Sequence, residues 1–290
     1  MNVEVYTLNA FAKDGSGGNP AGVVLDAGSL NAAEMQRTAK EVGFSETAFV
    51  GKSARADYKV RYFTPASEVD LCGHATVAAF YLMFALGLAT AGTYTLETKA
   101  GVLEVSISRD GDVYLSQALP QFSETLPREE IAASLGISVE DLTGELPIQI
   151  VSTGLRDILV PVSNRELLAG IQPEFAAITA ISKKYNVIGY HLFTRDTPDD
   201  AAAECRNFAP LYDIPEESAT GTASGALLSY LYKYGQLSIQ QAGHAVFRQG
   251  YSMNCPSEIK AGLSLNDRGE ITRVQVGGIA AGIERRSFVI

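Results

Sequence analysis

Arg61-Tyr62-Phe63-Thr64-Pro65, followed by Gly73-His74-Ala75-Thr76, returns later in the chain as Arg206-Asn207-Phe208-Ala209-Pro210 and Gly221-Thr222-Ala223-Ser224. The shared pattern is R-x-F-x-P and then G-x-A-[ST], displaced by 145 residues in the first part and 148 in the second. Gly87 and Gly235 continue the series, and Gly101 and Gly250 close it. Glycines and prolines punctuate the loops of any α/β protein, but four correspondences in one order favour an internal repeat of about half the chain.

Outward from these glycines, each copy reads as one α/β unit. Ala75 to Leu86 is rich in Ala, Leu, Met and Phe and free of Gly and Pro, which at that length favours a helix. It has no polar face, and a helix hydrophobic all round has to be buried on all sides. Ala226 to Tyr234 is its counterpart. Strands are expected at Val3 to Leu8, Ala21 to Leu25, Thr47 to Val50, Tyr58 to Phe63, Tyr94 to Thr98 and Leu103 to Ser108. Asn31-Ala32-Ala33-Glu34 has the pattern of a capping box, and Gly43 ends the surface helix that it starts. Pro173 to Lys184 takes that place in the second copy, and Pro120 to Pro147 reads as the connector.

The 290 residues are 46% hydrophobic and 19% charged, a globular composition large enough for two domains. A formal charge of -10 without any Lys/Arg cluster speaks against nucleic acid and anionic membranes as partners. The longest apolar run, Val77 to Leu86, is far below the ~20 residues of a membrane span. Met1-Asn2-Val3-Glu4 opens no basic and apolar leader, so a cytoplasmic protein is expected. Three cysteines without a C-x-x-C pair and three dispersed histidines give neither a disulfide framework nor a metal site.

A buried helix must find partners for its first N–H groups, and an anion can supply them. Asp70-Leu71-Cys72-Gly73-His74 and Glu217-Ser218-Ala219-Thr220-Gly221-Thr222 put glycine at both helix starts. The competing reading is that Thr76, Thr222 or Ser224 caps its own helix. Glu46 lies between a helix stop and an apolar strand, where partial burial suits a carboxylate to proton transfer. His74, at a helix start, should be held neutral by the dipole.

Gly18-Asn19-Pro20-Ala21-Gly22-Val23, Gly43-Phe44-Ser45-Glu46-Thr47-Ala48-Phe49, Leu71-Cys72-Gly73-His74-Ala75-Thr76 and Arg206 through Ala223 together resemble the PhzF family, named for a phenazine-biosynthesis isomerase. The resemblance runs to Gln249-Gly250 and Val276-Gly277-Gly278 and covers nearly the whole chain. It implies an α/β (α+β) fold of the diaminopimelate-epimerase type, two pseudo-symmetric lobes, each a curved mixed sheet wrapped around a central helix. Residues 1–120, rejoined by 279–290, would form the N-terminal lobe and 121–278 the C-terminal lobe. A small carboxylate-bearing metabolite would bind between them in a homodimer that needs no cofactor and no metal. Glu46, His74 and Glu217 would be catalytic, with Glu46 the proton shuttle, while Asn19, Gly73, Gly221 and Thr222 would bind substrate.

The family pattern E-D-P-A-T-G-[SN]-A reads here Glu216-Glu217-Ser218-Ala219-Thr220-Gly221-Thr222-Ala223, so the acid reaches one methylene further and a loop proline is lost. The epimerases of this fold use two thiols. Cys72-Gly73-His74 resembles the site of the first, but Thr220 stands where the second belongs, and a hydroxyl is too weak an acid to replace a thiolate. The expectation is an isomerase working through Glu46. A non-catalytic metabolite-binding or protein-interaction module on the same scaffold and a thiol epimerase using Cys72 are the alternatives.

Overall fold

A computed structural model describes residues 1–290, and they divide into two compact units, Met1–Ser116 with Gly277–Ile290, and Gln117–Val276. In the first, Asn2–Ala10 pairs antiparallel with Ala280–Val289 on one side and with Asn19–Val24 on the other. Asn19–Val24 runs parallel to Thr47–Gly51, which is antiparallel to Tyr58–Phe63, itself parallel to Gly92–Thr98. Gly101–Ile107 and Val113–Gln117 complete the sheet by antiparallel pairing. All six strands expected from alternation are present, with ends shifted by a few residues at most.

The second unit repeats this order strand for strand. Gln149–Ser152 is antiparallel to Arg156–Pro161, which is parallel to Gly189–Thr194, antiparallel in turn to Ala203–Ala209, and this is parallel to Ala245–Gln249 and then antiparallel to Ser257–Leu265. Within each unit one thirteen-residue helix, Gly73–Ala85 or Gly221–Lys233, lies against the sheet with nine residues buried. So many buried positions leave no face for water, which is why the strands enclose the helix. The surface helix Ala32–Val42 covers the outer side of the first sheet, with Met35 and Ala39 packed on Phe49 and Phe63. Asn31 accepts from the N–H groups of Ala33 and Glu34, Glu34 returns a bond to Asn31, and Gly43 closes the helix at φ 75. Phe175–Tyr185 is its counterpart. No helix is long and apolar enough to cross a membrane.

The stretch from Pro120 to Pro147 is more than a connector. It contains the strand Gln121–Thr125 and the helix Arg128–Leu135, and Leu126, Ile131, Leu135 and Leu142 enter the core of the second unit beside Ile158 and Tyr190. The Arg128 guanidinium fastens the following loop by donating to the carbonyls of Leu142, Thr143 and Leu146. An eight-residue helix with three charged residues in its first turn is too short for periodicity to reveal.

The repeated R-x-F-x-P motif performs the same task twice. Arg61 forks onto Glu68 at 2.7 and 2.9 Å and stacks 5.1 Å from the Phe63 ring centre. Arg206 forks onto Glu216 at 2.8 and 2.9 Å and lies 4.8 Å from the Phe208 ring centre. Arg206 is the more buried of the two and also donates to the carbonyls of Leu168 and Ile171. Removing it takes the donor from two buried carbonyls and leaves the half-buried Glu216 carboxylate with Ser252. Arg206→Met is therefore expected to lower the unfolding free energy by about 3 kcal/mol or more. Arg61→Met, at a wetter fork, should cost about 1 kcal/mol or less. Urea unfolding of the two variants measures the difference, and equal losses would show that burial is not what separates the forks.

Candidate active site

Glu46 is placed by two constraints. The left-handed Gly43 ends the surface helix, and the Gly22 N–H donates to the Glu46 carbonyl at 3.1 Å, which fixes the entry to the strand Thr47–Gly51. Phe49 belongs to the outer core, so the alternation of a strand turns Ala48, and by the same step Glu46, toward the central helix. There the Glu46 Oε2 lies 3.4 Å from His74 Nε2. Ser45 Oγ stands 3.4 Å from the same nitrogen, and Cys72 Sγ is 3.4 Å from Nδ1. The ring is also hydrogen-bonded to the backbone of Pro20.

His74 is only 7% exposed. Burial pushes its pKa below the ordinary value, against the opposing pull of the Glu46 charge and the Pro20 bond. The neutral ring expected from the helix dipole thus has desolvation as its first cause. Asn19 and Pro20 are delivered by a turn that only glycine permits. Gly18 has φ +85, and a Cβ there would fall against the Ala10 carbonyl. Asn19 then pairs with Ala10 at the strand start and is buried.

The helix Gly73–Ala85 begins without a side-chain cap on Cys72, and above Gly73 an added Cβ would meet open space. Thr76 is no cap. Its hydroxyl donates to the Cys72 carbonyl at 2.7 Å and lies 2.5 Å from the Tyr62 hydroxyl. In the second unit the helix Gly221–Lys233 likewise starts without a side-chain cap, and Ser224 donates to the Thr220 carbonyl at 2.8 Å. The reading of these hydroxyls as caps fails for Thr76 and Ser224 alike. Both satisfy the carbonyl four residues back and leave the helix start to other partners.

Around that second start the Thr220 hydroxyl donates to Glu217 Oε2 at 2.6 Å. The Thr220 N–H donates to Gln249 Oε1 at 3.1 Å. The Gln249 amide returns 2.7 Å to the Glu217 carbonyl and 3.0 Å to the Thr220 hydroxyl. Thr153 and Gln117 donate to the carbonyls of Thr222 and Gly221. Glu46, His74, Gly73 and Asn19 are thus gathered in one unit, and Glu217, Gly221 and Thr222 in the other. Sequence reading singled out neither Ser45 nor Gln249 as a site residue. Gln249 ends one of the quoted motifs, and a fully buried glutamine beside a glycine at left-handed φ was its only signal.

Glu46, Cys72 and His74 are the side chains able to offer a metal ion donors, since one atom from each lies within 4.8 Å of the others. Dispersed spacing concealed this group from the sequence. The imidazole stands between the other two, with sulfur on Nδ1 and carboxylate on Nε2. One ion could take only one of those nitrogens, so the arrangement fits a thiol–imidazole–carboxylate hydrogen-bond chain better than a coordination shell.

Comparison with known proteins agrees with this architecture. The family described as phenazine biosynthesis-like protein matches residues 8–286. A Bacillus subtilis (strain 168) protein named as an uncharacterized isomerase, YfhB, is 36% identical over 99% of both chains. The trans-2,3-dihydro-3-hydroxyanthranilate isomerase of Pseudomonas chlororaphis is 30% identical over 98% of both chains. The crystal structure of a phenazine biosynthesis protein of the PhzF family from Bacillus anthracis superposes with a TM-score of 0.92, at 32% identity and covering 100% of each chain. Strand order, duplicated helix and whole-length similarity together place this chain in the PhzF family, as an isomerase of the diaminopimelate-epimerase-like fold.

Proposed function

We propose that the reaction is an allylic proton transfer on a small unsaturated carboxylate, with Glu46 as the shuttle. Glu46 takes a proton from a carbon whose C–H electrons then delocalise through the neighbouring double bond toward the carboxylate. The same carboxyl returns the proton to a more distant carbon, so atoms and charge balance within one molecule. The observation that carries this reading is the Glu46 carboxylate 3.4 Å from a buried imidazole at the start of a helix with no side-chain cap. Neutral His74 does not compete with Glu46 for the proton, and the N–H groups at the start of the helix Gly73–Ala85 add a positive field. The Gly221 and Thr222 N–H groups are proposed to hold an anionic group in the same manner. The P. chlororaphis relative is named for trans-2,3-dihydro-3-hydroxyanthranilate, and a cyclic unsaturated amino or hydroxy carboxylate of that kind is the substrate class proposed here.

Incubation with trans-2,3-dihydro-3-hydroxyanthranilate and related unsaturated carboxylates in deuterium oxide tests the proposal. Glu46→Gln should fold as the parent does, by circular dichroism, while deuterium incorporation falls by about 10²–10⁴. Undiminished incorporation in that variant would remove Glu46 from the role.

The neutral state of His74 has its own test. Nitrogen-15 spectra should show an uncharged ring at about pH 6.5, and Glu46→Gln should lower the ring pKa further, because the carboxylate is what pulls it upward. A ring that is charged at that pH would contradict the assignment.

A second reading has one observation in its favour, the 3.4 Å contact of Cys72 sulfur with His74 Nδ1, which could activate the thiol. The counterpart thiol is replaced by Thr220, whose hydroxyl is engaged by Glu217. Cys72→Ala is therefore expected to keep most activity and Cys72→Ser to lose only modestly. A folded but inactive Cys72→Ala, with inactivation of the parent by alkylation, would restore the thiol mechanism.

A further inference from the structure

A buried chain of hydroxyls joins the two elements that carry the acid and the imidazole. Tyr62 lies on the strand Tyr58–Phe63 and pairs with Ala48 of the strand Thr47–Gly51, at whose start Glu46 stands. Arg61 and Phe63 stack on the outer face, so alternation turns Tyr62 inward, the way Ala48 and Glu46 are turned. Its hydroxyl meets the Thr76 hydroxyl at 2.5 Å, in the first turn of the helix that presents His74. Neither residue is exposed at all. The sheet that carries Glu46 is thus tied to the helix two residues beyond His74.

The supply of protons fixes the direction of the chain. Thr76 has one hydroxyl proton and donates it to the Cys72 carbonyl at 2.7 Å, so toward Tyr62 its oxygen can only accept. Tyr62 is the donor, and burial, which pushes its phenol well above the ordinary tyrosine value, keeps that proton in place. The Cys72 carbonyl also accepts the Thr76 N–H at 3.1 Å. Its peptide is the one whose N–H is that of Gly73, and linked hydrogen bonds polarise one another, so two bonds on the carbonyl make that N–H the stronger donor. The same peptide is flanked by the Cys72 thiol and by the His74 ring, which stands 3.4 Å from Glu46.

The second half has the fold without this tie. Thr47 faces Phe63 in the first unit as Tyr190 faces Phe208 in the second, so Glu46 corresponds to Gly189 and Tyr62 to Asn207, while the repeated G-x-A-[ST] sets Thr76 against Ser224. A Cβ at Gly189 would fall on the Phe208 carbonyl oxygen, so no acid can stand there. Ser224 still donates to the Thr220 carbonyl. Asn207, however, turns to Nδ1 of His191 on its own sheet, 3.1 Å away. Strand and helix are tied at this point only in the half that has an acid and an imidazole to hold together. We propose that Tyr62, acting through Thr76, is a positioning residue of the Glu46 site, one that holds His74 against the carboxylate and strengthens the Gly73 N–H as a donor. Its effect on the Gly73 peptide stands apart from the isomerase reading, and only its effect on turnover rests on that reading.

Tyr190 supplies a matched control. Its hydroxyl meets that of Ser134 at 3.1 Å, and Ser134 donates to the Ile131 carbonyl at 2.8 Å, in the outer core of the second unit and away from the site. Tyr62→Phe and Tyr190→Phe therefore remove the same kind of bond from equally buried rings, and both should lower Tm by a few degrees. Proton–nitrogen-15 spectra of the full chain separate them. The Gly73 amide proton should move upfield in Tyr62→Phe and further in Thr76→Val, and should keep its parent position in Thr76→Ser and in Tyr190→Phe. In the deuterium-exchange assay Tyr62→Phe should lower kcat by about 10-fold to 100-fold while KM changes by no more than about twofold, and Tyr190→Phe should turn over as the parent does. Should Tyr62→Phe fold poorly, the comparison of Thr76→Val with Thr76→Ser carries the same test. A Gly73 amide that does not move in Tyr62→Phe or Thr76→Val, or a kcat for Tyr62→Phe no lower than for Tyr190→Phe, overturns the proposal. Amide shifts as expected with no exchange on any carboxylate would count against the isomerase reading alone.

Discussion

Everything in this protein follows from enclosing a helix that has no polar side. Gly73–Ala85 and Gly221–Lys233 bury nine residues each, and neither carries a stripe that could be left in water. Such a helix cannot lie on a sheet; it has to be surrounded by one. Enclosure in turn settles the fate of the helix start. The N-cap residues Cys72 and Thr220 make no capping bond through their side chains, and Thr76 and Ser224 spend their hydroxyls on carbonyls. N–H groups left in that state favour an anion, and an active site is what a fold can make of that requirement.

Duplication then supplied two such starts, which have diverged under different packing limits. The outer forks are retained almost atom for atom, Arg61 on Glu68 and Arg206 on Glu216, each stacked on a phenylalanine two residues on. The inner faces are not. Where Glu46 fits in the first unit, the Phe208 carbonyl closes the equivalent position in the second and admits only Gly189. Conservation of the outer face and change on the inner one is what separates the residues that hold a sheet together from those that confront a ligand.

Local signals were legible in the sequence and non-local ones were not. The capping box of Asn31 and Glu34 closes within three residues, the strand Tyr58–Phe63 alternates plainly and Thr47–Gly51 is a short apolar run, so all could be read along the chain. Thr76 looked like a cap because a hydroxyl near a helix start usually is one. Its hydroxyl turns to the Cys72 carbonyl instead and also meets the Tyr62 hydroxyl, a contact that depends on how strand and helix pack. The helix Arg128–Leu135 escaped because three core residues, Ile131, Ala132 and Leu135, are all the periodicity it shows. Glu46 and His74 stand far apart in the sequence, and only the resemblance of their two motifs to one family joined them before the structure did. Nothing of that kind pointed to Asp157, a buried acid whose pairing with Gly189 appears only in the register of the sheet.

Charge explains why these arrangements have to be local. The chain carries a formal charge of -10, which repels an anionic metabolite at long range. Attraction must then come from groups that act at contact distance, since salt screens the surface charges beyond about 10 Å while buried groups keep their strength. His74 meets this demand while uncharged. A protonated ring would attract an anion more strongly but would also neutralise Glu46, the proposed base 3.4 Å away, and so weaken its pull on a proton. Burial keeps the imidazole neutral and leaves the attraction to backbone dipoles, which carry no proton to lose. On the proposed reading, a carboxylate base and an anionic substrate can lie side by side only on those terms.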